Sequence, residues 1–164
     1  MRKINRKSIL FPNYISPSVI KIDISELKQA GITHVVFDID ETIVPKNHNS
    51  LTKPYIKFMK ELEREEFILL IGSNSTRDLS DITNVINAQV VKPSHFSFKP
   101  FKNYYKKIIK AAGGDPKKIA MIGDKKLNDV VGANIAGLTT ILVEPYARRQ
   151  KLFDRIYMKL ALMN

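Results

Sequence analysis

Residues able to do chemistry gather at the ends of short apolar runs in this chain. Asp38-Ile39-Asp40-Glu41-Thr42 closes the first run, and Gly72-Ser73-Asn74-Ser75 follows the second. Lys99-Pro100 stands just ahead of a helical stretch, and Gly123-Asp124-Lys125-Lys126-Leu127-Asn128-Asp129 follows a later run. If the runs are parallel strands, their carboxyl ends share one sheet edge, which is where α/β proteins place ligand sites. That edge would gather four carboxylates, one hydroxyl and one ammonium. Four crowded carboxylates repel one another and raise their own pKa values unless a hard cation shares the charge. Mg²⁺ suits such a site, because it prefers carboxylate oxygens and keeps waters that a phosphate can replace. Asp38 is the expected nucleophile, attacking phosphorus with one oxygen while the other meets the metal. Asp40 is placed to act as acid to the leaving oxygen, then as base to the water that hydrolyses an aspartyl-phosphate. Ser73 and nearby backbone amides would hold phosphoryl oxygens, and Lys99 would offset the charge of the transition state. Asp124 and Asp129 are the remaining metal candidates, bound directly or through water, with Asp129 in the first turn of the following helix. Lys92-Pro93 is a second Lys-Pro pair, but Lys99 immediately precedes a helix and is preferred.

These side chains need elements to carry them. Five runs read as strands: His34 to Ile39, Phe67 to Ile71, Gln89 to Val91, Ile119 to Ile122 and Thr139 to Val143. They are continuously apolar rather than alternating, as a parallel sheet covered on both faces requires. Helical patterns lie between them, over Leu51 to Glu65, Leu79 to Ile86, Tyr104 to Ala112 and Asn128 to Ala136, the last two stopped by Gly113 and Gly137. A short helix, Ile24 to Ala30, ends at Gly31. Strands alternating with helices predict a three-layer α/β/α, Rossmann-like domain with a central parallel sheet. The expected organisation is a lead-in over 1–33 packed on the domain, a catalytic core over 34–145, and a basic amphipathic helix over 146–164.

Asp38-x-Asp40-x-Thr42, Ser73, Lys99 and Gly123-Asp124-x₄-Asp129, in that order, resemble the four motifs of the haloacid dehalogenase superfamily of phosphohydrolases. The resemblance implies a Mg²⁺-dependent phosphatase working through an aspartyl-phosphate. It implies metal ligation by Asp38, the Asp40 main-chain carbonyl, Asp124 and Asp129, with Ser73, Asn74 and Thr42 on the phosphate side. Pro12, Ile20, Ile22-Asp23 and Leu27 before Gly31-Ile32, the Lys99-Pro100 pair, and Gly132-Ala133-Asn134 with Gly137 are similar to the class IIIA branch. That branch includes bacterial and mitochondrial phosphatidylglycerophosphate phosphatases. Two residues depart from its pattern: Glu41 replaces a common Asn, and Lys125 a commonly neutral residue. Neither stands at an expected catalytic position. Thr42 reads as a hydroxyl that holds the first loop rather than as a reactant. Relatives that enclose small metabolites carry an inserted cap domain. Here 34 residues lie between Asp38 and Ser73 and 25 between Ser73 and Lys99, which leaves no room for one. An open site suits a phosphate carried on a larger body, such as a lipid head group, a protein or a nucleic acid.

Composition narrows the alternatives. The chain has 164 residues, no Cys, and 27 Lys plus Arg against 16 Asp plus Glu, for a net charge of +11. Absence of Cys excludes disulfides, thiolate zinc sites and cysteine nucleophiles. No apolar run approaches the roughly 20 residues that cross a bilayer, and Pro12, Asn13 and Pro17 interrupt any secretory signal. The expected location is therefore cytoplasmic, with peripheral seating on the inner face of a membrane. The leading reading is hydrolysis of phosphatidylglycerophosphate to phosphatidylglycerol, with an anionic membrane surface as partner. A second reading is a phosphatase for a protein, nucleotide or sugar phosphate. The non-enzymatic alternative is a basic Rossmann-like module for RNA or another polyanion, for which Tyr104-Tyr105-Lys106-Lys107 is the best stacking candidate. The acid cluster disfavours that reading, because four carboxylates repel a polyanion.

Overall fold

In the computed structural model, which describes residues 1–4 and 8–146, the apolar runs become strands whose alternate residues feed two separate cores. The strands are β1 (Arg2–Lys3), β2 (Tyr14–Ser16), β3 (His34–Phe37), β4 (Ile68–Gly72), β5 (Ala88–Val91), β6 (Ile119–Gly123) and β7 (Thr139–Val143). They form one sheet in the order β1-β2-β7-β6-β3-β4-β5, parallel except for the antiparallel β1–β2 pair. Val35 and Phe37 of β3, with Leu69 and Ile71 of β4, pack into one core. Val36 and Leu70, between them, pack into the other. Continuous apolarity is thus the consequence of two covered faces.

The first core is closed by α1 (Ile24–Gln29), α2 (Lys53–Arg64) and α3 (Ser80–Thr83), which contribute Leu27, Phe58, Met59, Leu62 and Ile82. The second is closed by α4 (Lys102–Ala111) and α5 (Gly132–Ile135), through Tyr104, Tyr105, Ile108 and Ala133. Asp23 caps α1, accepting from the Ser25 and Glu26 amides, and Pro54 opens the first turn of α2.

Several elements differ from the expectations. The helix expected over 79–86 holds α-helical geometry only across the four residues of α3. The helix expected from Asn128 starts earlier, as π-helical turns over Lys126–Val131 that run into α5. The segment 1–33 supplies two strands to the sheet, and β2 lies against β7 with Ile15 opposite Leu142. β1 has only two residues and β2 only three, too few to show a period. The basic helix expected over 146–164 falls outside the described residues after Tyr146.

From β3 the chain moves outward through β4 to β5, then returns to the other side of β3 as β6 and β7. The reversal of strand order lies between β3 and β6, and Phe37 pairs with Ile122 across it. Asp38 therefore leaves the sheet beside Gly123 and Asp124, with its amide donating to the Ile122 carbonyl at 2.9 Å. A parallel sheet opens a crevice at such a point, because the connections on its two sides diverge.

Candidate active site

The crevice brings the expected acids together only in part. Oxygens of Asp38, Asp124 and Asp129 lie within 4.8 Å of one another. Asp38 and Asp129 are 3% and 1% exposed, so their carboxylates have left bulk water. Lys99, itself 3% exposed, compensates by donating from Nζ to Asp38 Oδ1 and Asp129 Oδ1, both at 2.6 Å. The loop after β5 delivers that lysine, and Lys92, the rival candidate, lies exposed outside the cluster.

Close backbone approach is what allows Asp129 into this position. A Cβ on Gly123 would stand 2.3 Å from the Asp129 carboxylate, so only glycine leaves room for it. The Asp129 Oδ2 then accepts the Lys125 amide at 2.9 Å. On the opposite side, Gly132 faces the Pro100 carbonyl, where a Cβ would come within 2.7 Å. The segments bearing Asp129 and Lys99 are thus packed backbone to backbone.

Electrostatics follow from burial and pairing. Burial would raise the Asp38 pKa, but Lys99 and Lys125 outweigh it and hold Asp38 below the usual carboxylate range. Burial would lower the Lys99 pKa, yet Asp129 and Asp38 raise it, so its charge is secure. Asp129 is pushed up by burial and by the Asp38 charge, and Asp124 is pushed up to about 7 by burial, with Asp129 and Asp38 adding to it. Three carboxylates for two ammonium groups leave a deficit of positive charge, and hard oxygen donors are the ligand set that Mg²⁺ takes.

Lys125 corrects an expectation. Read as a departure that touches no catalytic position, it in fact stands with Nζ 3.4 Å from Asp38 Oδ2 and 3.5 Å from Asp124 Oδ1. Its side chain remains 46% exposed, so it bridges the buried acids to solvent. Position alone hid this, because a residue directly after Asp124 can point either way. Glu41, the other departure, adopts a φ of 63°; its Oε1 accepts the Lys46 amide and its carbonyl accepts the Tyr146 amide.

Asp40 is not gathered into the acid cluster. Its two oxygens receive Arg77 Nη1 at 2.8 and 3.0 Å, and its Oδ1 also accepts the Asn47 amide. Arg77 Nη2 donates to the His48 carbonyl, while its Nε is buried without a partner. Sequence reasoning missed Arg77, whose only signal was its place four residues beyond Ser73.

The residues expected on the phosphate side divide as well. Ser73 is 6% exposed and its Oγ accepts the Ser75 amide. Asn74, expected on the phosphate, instead clamps Lys99: Nδ2 donates to the Lys99 carbonyl at 2.8 Å and Oδ1 accepts the Lys99 amide at 2.7 Å. Thr42 Oγ1 donates to Asp124 Oδ1 at 3.3 Å, tying the loop after β3 to the one after β6. Tyr104 and Tyr105, the stacking candidates of the polyanion reading, are fully buried, with hydroxyls on the carbonyls of Ser73, Val91 and Asn128. They are core residues and offer no ring to a base.

The chain is similar to known proteins in sequence and in fold. "Probable phosphatase YqeG" from Bacillus subtilis (strain 168) is 22% identical over 150 residues, covering 91% of this chain and 86% of that protein. Among solved structures, a haloacid dehalogenase-like hydrolase from Brucella suis 1330 superposes with a TM-score of 0.55 at 12% identity, over 71% of this chain and 90% of that one. The cobalt-bound deoxy-D-mannose-octulosonate 8-phosphate phosphatase (YrbI) from Haemophilus influenzae gives 0.55 at 18% identity, over 83% and 78%. At those identities the structures establish the shared fold. The family comes from a sequence model described as "Mitochondrial PGP phosphatase", which matches residues 1–146 and so takes in the lead-in strands, Asp38, Arg77, Lys99 and Asp129 alike. By that match the chain belongs to the mitochondrial PGP phosphatase family and is a phosphatase built on the haloacid dehalogenase fold.

Proposed function

We propose that this protein is a Mg²⁺-dependent phosphatase acting through an aspartyl-phosphate on Asp38, with phosphatidylglycerophosphate as its substrate. The observation that carries the reading is the convergence of Asp38, Asp124 and Asp129 at the β3–β6 crevice, with Asp38 pinned by Lys99. The family match supports the choice of substrate.

Mg²⁺ held by Asp38, Asp124, Asp129 and the Asp40 main-chain carbonyl would neutralise the phosphate and orient it for in-line attack. Asp38 is kept ionised by its lysines, as a nucleophile must be. One of its oxygens forms a bond to phosphorus as the bond from phosphorus to the glycerol oxygen breaks. Asp40, carrying a proton, passes it to that departing oxygen. Water then attacks phosphorus, Asp40 takes the water's proton, and the bond from phosphorus to Asp38 breaks to free phosphate and Asp38. Lys99 and Lys125 supply fixed positive charge throughout, and Ser73 with the neighbouring amides receives the equatorial oxygens. Since Arg77 grips both Asp40 oxygens, this acid–base duty requires that grip to loosen when substrate arrives.

The segments between Asp38 and Ser73 and between Ser73 and Lys99 hold α2 with β4, and α3 with β5. Neither segment holds an inserted cap domain, which favours a phosphate presented by a membrane. Among the described residues no helix is long and apolar enough to cross a membrane, so such an encounter would be peripheral. The test is phosphate release from phosphatidylglycerophosphate in mixed micelles. It should require Mg²⁺, vanish with chelator, and vanish in Asp38→Asn. Efficient turnover of soluble phosphate esters with none of the lipid would overturn the substrate assignment.

A further inference from the structure

The +11 charge is unevenly spread. Between Asp81 and Asp115 no Asp or Glu occurs, while six lysines do. Lys99 is spent inside the crevice, and Lys92, Lys102, Lys106, Lys107 and Lys110 are all exposed. The same stretch carries an unusual set of exposed rings. Ser94 and Ser97 exchange backbone hydrogen bonds at 2.8 and 2.9 Å, closing a tight turn that holds Phe96 at its tip, 88% exposed. Phe101 is 56% exposed and packs edge-on against Phe98, 37% exposed, with ring centres 4.8 Å apart. A single exposed phenyl ring is ordinary, but three within six residues among five exposed lysines are not.

Placement gives the patch its meaning. β5 ends at Val91, so the turn lies at the carboxyl edge of the sheet, the edge that also carries Asp38. Phe98 and Phe101 flank Lys99 in the chain, and Lys99 Nζ is on the Asp38 carboxylate. Lys107 of α4 reaches back to Ser94 Oγ at 2.9 Å, which joins the helix's lysines to the turn. Rings to enter the interfacial layer and lysines to meet lipid phosphates are the two signals that together seat a protein on an anionic bilayer.

We infer that the 94–97 turn, Phe101 and the lysines around the start of α4 form the surface by which this phosphatase docks on an anionic membrane, with the Asp38 crevice beside the lipid head groups. This membrane role rests on the lipid-substrate reading above, while its binding chemistry comes from the patch itself. The ends of the chain are basic as well, and docking by the patch differs from docking by the ends in which variants abolish it.

Vesicles of equal phosphatidylglycerol and phosphatidylcholine, against pure phosphatidylcholine, test this by co-sedimentation of the full chain. Wild type should bind the anionic vesicles, and less so as salt rises. Lys92→Gln/Lys102→Gln/Lys106→Gln should weaken partitioning on the order of 100-fold. Phe96→Ser should weaken it roughly 10-fold. Lys57→Gln/Lys117→Gln/Lys118→Gln, the same charge removed elsewhere, should have a far smaller effect than the patch triple. All variants should keep wild-type turnover of p-nitrophenyl phosphate, which reports an intact crevice. Patch variants that bind vesicles like wild type, equal loss in the control triple, or wild-type preference for RNA with none for anionic vesicles would each overturn the inference. If the lipid is not hydrolysed in micelles yet vesicle binding follows the patch, the substrate reading falls and docking stands.

Discussion

Two halves of the crevice are built on opposite principles. The inner half, Asp38, Lys99 and Asp129, has side chains no more than 4% exposed, with both lysine contacts at 2.6 Å. The outer half, Asp40 and Arg77, has side chains 23% and 20% exposed and anchors partly through main-chain atoms of Asn47 and His48. A nucleophile and its countercharge gain from immobility, because prealigned charge need not reorganise as the bond forms. An acid–base group must accept and release a proton in turn, which a locked ion pair prevents. Breaking the inner half should therefore cost both stability and chemistry, and breaking the outer half chemistry alone.

The largest effect is expected from Asp38→Asn, which keeps shape and removes the proposed nucleophile. Phosphate release should fall on the order of 10⁴-fold or more, equivalent to about 5 kcal/mol. An unchanged circular dichroism spectrum would assign the loss to chemistry. Lys99→Met should come next. It leaves two buried carboxylates without their shared cation, at about 3–5 kcal/mol in urea unfolding. A Lys99→Met protein as stable as wild type would show that burial is not what locks the inner half.

Gly123→Ala is milder. Its methyl would drive Asp129 out of place, costing about 1–3 kcal/mol and raising the Mg²⁺ needed for half-maximal activity. An unaltered Mg²⁺ requirement would remove Asp129 from the metal site. Arg77→Met should be smallest in stability, below about 1 kcal/mol for a partly exposed pair. Its kcat should nonetheless fall roughly 10-fold with KM little changed, and Arg77→Lys should restore part of it. A stability loss matching that of Lys99→Met would erase the distinction between the halves.

What could be read from the chain follows from range. Strands β3 to β7 were legible because each is a short, largely apolar run with punctuation of its own, Asp38, Ser73 and Asp124 because each follows one, and Lys99 because it precedes a helix. Arg77, Lys125 and Asn74 were misjudged or missed. Their partners lie 37, 87 and 25 positions away, at Asp40, Asp38 and Lys99. The lead-in strands were missed for a similar reason, since β2 gains its meaning from β7, more than a hundred residues later.

The amino-acid sequence by itself therefore determined the chemistry available and the α/β layering, because residue type and hydrophobic period act over one or two turns of chain. Only the tertiary structure decided which acids meet and which are held apart. Asp38 and Asp40 are separated by a single residue, yet one is drawn into the crevice by Lys99 and the other turned aside by Arg77. Charge pairing across strand order acts through space, and the chain's order does not contain it.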